Sequence, residues 1–227
     1  MTKPLPKNIL VIGDTHEPFC KQGYLDFCQR TRDRFECDTI VHIGDEVEQH
    51  ALSFHTHDAS GRSAGDEYKE AYLKMQKWFK AFPEVKVCIG NHTARPFRVA
   101  KEHGLPFNYL VEYNEMWDAP SGWKWGFDWE INNVLFMHGT GRTGLYPHAL
   151  LAKTNRQSTV MGHLHAIAGI EWYASRKDII YGMAVGSGLD VHTYAAEYAE
   201  NFPTKPIISC GVILDRGKLP LIVKMDM

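Results

Sequence analysis

Short apolar runs recur along this chain, and most of them stop at a glycine followed by a polar cluster. Asn8 to Ile12, ended by Gly13, reads as a buried strand, and so do Thr39 to Ile43 and Val85 to Ile89. Tyr24 to Phe35 is compatible with a helix carrying Leu25, Phe27, Cys28 and Phe35. A second helical face holds Tyr68, Ala71, Tyr72, Met75, Phe79 and Phe82; it is expected to be capped by Asp66 and stopped by Pro83. A third helix is expected from about Pro96 to His103, whereas residues 104–130 read as irregular and crowded with aromatics. Asn133 to Met137 and Ser158 to Met161 predict two more strands, separated by a helix over Leu145 to Asn155. Segments around 167–173, 178–185, 208–214 and 219–224 are β-rich. Alternation of β and α that gives way to a β-rich half predicts an α/β sandwich, read as one domain over 1–227. Its chemistry is then expected at the carboxyl ends of the strands.

Five polar clusters stand at those strand exits: Asp14-Thr15-His16, Gly44-Asp45-Glu46-Val47-Glu48, Gly90-Asn91-His92, His138-Gly139 and Gly162-His163-Leu164-His165. Their mixture of oxygen and nitrogen donors suits a pair of borderline divalent cations. Two such cations can clamp the attacking and leaving oxygens of an in-line displacement at phosphorus. Asp14 and His16, two residues apart on a turn, can converge on one ion. Asp45 has two carboxylate oxygens and can serve two ions, and Asn91 offers a neutral carbonyl oxygen. His163 and His165 share one side of an extended segment, and His138 completes the set. Glycines 13, 44, 90, 139 and 162 are expected to let the backbone turn sharply beside these side chains.

Composition narrows the class. A chain of 227 residues with 44% hydrophobic and 23% charged residues is that of a soluble globular protein. Its net charge of −2 gives no global attraction to polyanions, so local basic groups or bound metals must hold any such ligand. Five cysteines without a Cys-x-x-Cys spacing exclude zinc-finger and disulfide scaffolds and read as reduced thiols. Met1 to Lys7 carries no secretory signal, and no stretch approaches the roughly 20 apolar residues of a membrane span. A cytoplasmic protein with no membrane partner is expected.

The order of the five clusters, from residue 13 to residue 165, resembles the calcineurin-like metallophosphoesterase superfamily. Its pattern is Asp-x-His, Gly-Asp-x-x-Asp, Gly-Asn-His-Asp/Glu, a lone His, then Gly-His-x-His. The resemblance implies a β-sandwich of two mixed sheets flanked by helices, and a dinuclear centre. One ion would take Asp14, His16, Asp45 and His165; the other would take Asp45, Asn91, His138 and His163. His92 would protonate the leaving oxygen, with Glu48 holding its tautomer. Glu48 stands where the family has Asp, and Thr93 where it has an acidic residue. Glu48-Gln49-His50 replaces the Asp-Arg-Gly of the protein-phosphatase branch, which sets this chain apart from that branch.

Other polar residues have competing readings. Arg95 and Arg98 follow the third cluster at a helix mouth and are candidates for substrate phosphate or for ordinary ion pairs. His42 and His103 read as structural. His50, His55 and His57 read as a solvated loop or as substrate contacts, and His192 as core or surface. The segment Gly139 to Gly144 reads as a flexible turn. Trp117, Trp123, Trp125 and Trp129, with Phe127, could stack on bases, but burial or a homodimer contact is the commoner use of such a cluster. The expected activity is hydrolysis of a phosphodiester, in a nucleotide or nucleic acid, with two divalent ions. Manganese comes first, with iron, zinc or nickel also compatible. A phosphomonoesterase and a silent binding scaffold are the alternatives.

Overall fold

Along Ile9–Ile12 (β1), Ile9 and Val11 point to one face and Leu10 and Ile12 to the other, and all four are buried. A strand apolar on both faces has to be covered on both. The computed structural model describes residues 6–54, 61–190, 192–193 and 204–226. Within them, β1 runs parallel to Thr39–His42 (β2) and antiparallel to Ser209–Leu214 (β10). Val85–Cys88 (β3) and Trp123–Gly126 (β4) continue the sheet in parallel beyond β2, and Leu219–Lys224 (β11) closes the other edge.

A second sheet has Asp128–Ile131 (β5), Val134–Met137 (β6), Ser158–Met161 (β7), Ile179–Val185 (β9) and Ala168–Ala174 (β8) in that spatial order. Its middle strands β6, β7 and β9 are parallel, and both edge strands are antiparallel. The Ile9 face packs with Val41, Ile43, Phe136, Val160 and Met183 as the core between the sheets. The Leu10 face lies beneath Tyr24–Arg34 (α1) and Ala64–Ala81 (α2), where Tyr24, Phe27, Met75, Trp78 and Phe79 meet it. Pro147–Asn155 (α5) covers the far side of the second sheet, with Leu151 against Met161 and Ala184. The layers are therefore α/β/β/α, as expected.

Element boundaries depart from the sequence reading in physically simple ways. Ser63, not Asp66, caps α2: its hydroxyl accepts the Asp66 N–H at 3.2 Å and donates to the Asp66 carboxylate at 2.8 Å. The acidic residue stands three positions after the cap, as in a capping box, but its carboxylate meets the Ser63 hydroxyl. Tyr68 is 42% exposed rather than on the buried face. The helix after the third cluster is Arg95–Glu102 (α3), and α5 begins at Pro147, which suits the first helical position. Residues 104–130 are not all irregular; they form Tyr113–Met116 (α4), β4 and β5. β4 alternates tryptophan with Lys124 and Gly126, so it shows no apolar run, and it is held by pairing with β3 (Val85 opposite Trp123).

Candidate metal centre

β1, β2 and β3 of the first sheet and β6 and β7 of the second each lead into one of the five polar clusters. Asp14 is fully buried. Its Oδ2 accepts the His163 N–H at 2.9 Å and lies 3.2 Å from His165 Nε2, while its Oδ1 is buried with no partner among the described residues. The His16 N–H is held by the Asp45 carbonyl at 2.9 Å. Its Nδ1–H donates to Glu48 Oε2 at 2.6 Å, which aims Nε2 at His165 Nε2, 2.9 Å away.

Asp45 Oδ1 accepts the N–H groups of His92 (2.8 Å) and Thr93 (3.2 Å), and Oδ2 faces His138 Nε2 at 2.9 Å. His138 Nδ1–H donates to the Ile43 carbonyl at 3.1 Å, which leaves Nε2 toward Asp45 and 3.2 Å from Asn91 Oδ1. The His163 ring lies 5.2 Å from that of His138. Donor atoms of Asp14, His16 and His165 all lie within 4.8 Å of one another, and those of Asp45, His138 and His163 do the same. Two facing imidazole nitrogens and an orphaned carboxylate oxygen are what a divalent cation would satisfy together, so the residues fit such an ion.

The backbone bears the cost of this convergence. His16 (φ 50°), Asp45 (φ 49°) and His163 (φ 69°) are all left-handed without being glycine, at about 1–3 kcal/mol each. Gly90 and Gly162 serve a different need from the sharp turns expected of them. Neither has positive φ, but a Cβ at Gly90 would strike the Asp45 carboxylate, and one at Gly162 would strike that of Asp14. Gly90→Ala should therefore displace Asp45 and weaken metal binding by at least about tenfold. Metal content per folded protein, measured by mass spectrometry of the ions, checks this; an unchanged content would refute the packing argument.

His42, read from the sequence as structural, ties two of the loops together. Burial pushes its pKa down to about 3, so the ring is neutral. Nδ1 accepts the Gly44 N–H at 3.2 Å, Nε2–H donates to Thr15 Oγ1 at 3.0 Å, and that hydroxyl donates to the Glu46 carbonyl at 2.9 Å. Nothing in the sequence flagged Thr15, because its partner lies 27 positions away.

Residues 7–205 match the family model described as calcineurin-like phosphoesterase. The chain belongs to that family. Calcineurin-like phosphoesterases bind divalent metals and act on phosphate esters. Among solved structures, a metallophosphoesterase from Sphaerobacter thermophilus aligns over 96% of this chain and 88% of its own, with a TM-score of 0.51 and 13% identity. A novel archaeal phosphodiesterase aligns over 96% of this chain and 99% of its own (TM-score 0.49, 12% identity). Vps29 from Chaetomium thermophilum aligns over 96% and 97% (TM-score 0.41, 13% identity). No curated protein matches.

This member meets the family pattern with different contacts. Glu48, one methylene longer than the usual Asp, reaches His92 Nδ1 at 3.1 Å and His16 Nδ1 with the same oxygen. Burial alone would raise its pKa, but His92 foremost, then His16 and His50, hold it well below the usual carboxylate range. Thr93 accepts the Asp45 N–H at 3.1 Å and donates to Glu46 Oε2 at 2.7 Å. Glu46 thereby supplies the carboxylate that position 93 lacks, and its Oε1 accepts Trp125 Nε1–H at 2.9 Å. The sequence reading assigned Glu46 no role.

Arg95, a candidate for substrate phosphate, is buried instead. Its Nη1 donates to the Glu48 carbonyl at 2.6 Å and the Glu48 carboxylate at 3.1 Å, because that buried charge needs a counter-ion. Arg98 is exposed and lies 4.9 Å over the Phe54 ring. Trp117 and Trp123 are core residues, and Trp129 donates to the Val87 carbonyl at 3.0 Å, so burial is the main use of the aromatic segment. Phe127 lies outside β4 and is 77% exposed. The His50 ring is 3.8 Å from Glu48, His103 caps its own helix by donating to Val99, and His192 is exposed. His55 and His57 lie outside the described residues.

Proposed function

We propose that the chain is a two-metal phosphoesterase that hydrolyses phosphodiesters of nucleotides or nucleic acid. The observation that carries this reading is the pair of adjoining donor groups, Asp14, His16 and His165 beside Asp45, His138 and His163, with His16 also within reach of Glu48 and His92. Asp14, His16, Asp45 and His165 would hold one ion, and Asp45, Asn91, His138 and His163 the other. Manganese is the first choice, with iron, zinc and nickel compatible with these donors. When bound, such ions act as Lewis acids that neutralise charge developing on the phosphoryl oxygens.

The chain itself handles the leaving group. Burial would lower the His92 pKa, but the Glu48 and Asp45 carboxylates raise it above its ordinary value, which favours the protonated ring. Nδ1–H stays on Glu48, and Nε2–H is the proton for the leaving oxygen. Arg95 Nη2, 3.4 Å from that nitrogen, favours giving the proton up. Commitment of the Arg95 guanidinium to Glu48 supports a monoanionic diester over a dianionic monoester. Five free thiols, four of them buried, support a reducing, cytoplasmic setting.

Turnover of bis-p-nitrophenyl phosphate and p-nitrophenyl phosphate, each with manganese and with a chelator, tests the proposal. Faster metal-dependent turnover of the diester is expected, and the chelator should abolish it. Preference for the monoester would overturn the diester reading; no turnover with two ions bound would favour a binding scaffold.

Metal affinity should also depend on pH. Burial alone would lower the His138 imidazole, but Asp45 and Asp14 beside it raise it to about 9 in the metal-free protein. Below that value a cation must displace a proton from His138, so affinity should rise about tenfold per pH unit until pH approaches 9. Titration calorimetry in buffers of different ionisation enthalpy should show a proton released at pH 7; none released would contradict it.

A further inference from the structure

A cavity of about 250 Å³ lies between α2, α3, α4 and the turn at residues 50–52, and its walls are mostly apolar. Two of its wall residues, Gln49 and Pro96, directly follow Glu48 and Arg95, the ion pair beside His92. Gln49 Nε2–H also donates to the His92 carbonyl at 3.0 Å, so the cavity and the leaving-group histidine share a wall. Tyr68 and Trp117 form an aromatic side of the cavity, stacked at 5.1 Å with an interplanar angle of 26°. Glu67 is its one carboxylate. It is 3% exposed, and its two oxygens accept the N–H groups of His50 (2.6 Å) and Ala51 (3.0 Å). Each oxygen keeps a further lone pair that could accept from a ligand amine.

We propose that this cavity is the base subsite of the phosphodiesterase centre and takes one nucleobase carrying an exocyclic amino group. The assignment rests on the phosphodiesterase reading above. The volume of about 250 Å³ lies just below the usual range for ligand sites, so it admits one ring system rather than a dinucleotide. Apolar and aromatic walls suit the faces of a base, and the buried carboxylate accepts from its amine. Joined to the His92 edge through Gln49 and Pro96, the subsite would fix which part of a diester lies next to the proton donor.

Adenosine, with ribose as the control, tests this without relying on turnover. Saturation-transfer NMR should detect adenosine binding and no ribose binding. Ala71→Leu, which fills the cavity, and Tyr68→Leu, which removes an aromatic wall, should each weaken adenosine binding at least fivefold. Tyr68 is 42% exposed, so that variant keeps the fold if the buried Ala71 change does not. With bis-p-nitrophenyl phosphate as substrate, adenosine should raise KM and leave kcat unchanged. Absence of adenosine binding, equal binding in both folded variants, or inhibition that lowers kcat alone would overturn the subsite. Variant-sensitive binding in a protein that turns over no ester would support the subsite and overturn the phosphoesterase reading instead.

Discussion

His92→Ala is expected to keep its bound metal and lose about 10²–10⁴-fold in kcat on diesters with poor leaving groups. One ring nitrogen lies within 4.8 Å of donor atoms of His16 and Glu48, a third group that could hold an ion, but Nδ1 faces the Glu48 carboxylate and carbonyl, Nε2 faces Arg95, and the backbone N–H serves Asp45. Removing the ring leaves the backbone N–H that holds Asp45 in place, so the ion site should survive. A p-nitrophenolate leaving group needs no proton, and the loss on bis-p-nitrophenyl phosphate should be much smaller. Plotting log kcat against leaving-group pKa for the two proteins gives the decisive comparison. A steeper slope for the variant supports the assigned role, whereas parallel lines together with lost metal would refute it.

Glu48→Gln should be more damaging than a change at a single contact, because one carboxylate serves His16, His92 and Arg95 and also lies 3.8 Å from His50. Its Oε2 holds His16 and His92, and its Oε1 faces Arg95. An amide keeps the shape but loses the charge that raises His92, and it leaves Arg95 without its buried counter-ion. Metal affinity should fall about 10–100-fold through His16. The basic limb of the pH–rate profile should also move to lower pH, since His92 would lose its proton earlier. Glu48→Asp separates the two roles: the shorter side chain can keep one imidazole but not both. A Glu48→Gln protein with unchanged metal affinity and an unchanged profile would remove Glu48 from the site.

Much of this architecture is visible in the sequence, for reasons that also explain what is not. β1, β2, β3, β6 and β7 are short runs of apolar residues with a polar cluster behind them, and local composition suffices to find them. Strand order is another matter. β1 sits between β2 and β10, and the Ile9–Ile213 pairing depends on surfaces that only the folded chain brings together. β4 is only half visible: Trp123, Trp125 and Phe127 alternate like one strand face, but the run is not apolar throughout and its stability lies in the β3 ladder. At the site, donor residues stand out because carboxylates and imidazoles at strand exits are otherwise unusual. Their supports do not stand out, since the reach of Glu48 to His16 and the Thr93–Glu46 link are matters of side-chain distance. Arg95 shows the same blind spot: a helix-mouth arginine looks like a phosphate clamp until its neighbour is seen to be a buried carboxylate.

The donors come from both sheets. Asp14, His16, Asp45 and Asn91 follow strands of one layer, and His138, His163 and His165 follow strands of the other. An ion held by both sets would rivet the sandwich at its rim, and the spacing between the layers would set the bite of the site. Side chains such as Phe136 and Met183, wedged between the layers, would therefore act as the shims of the proposed metal site. Thinning one of them would slacken the grip on the ions while every donor stayed in the chain.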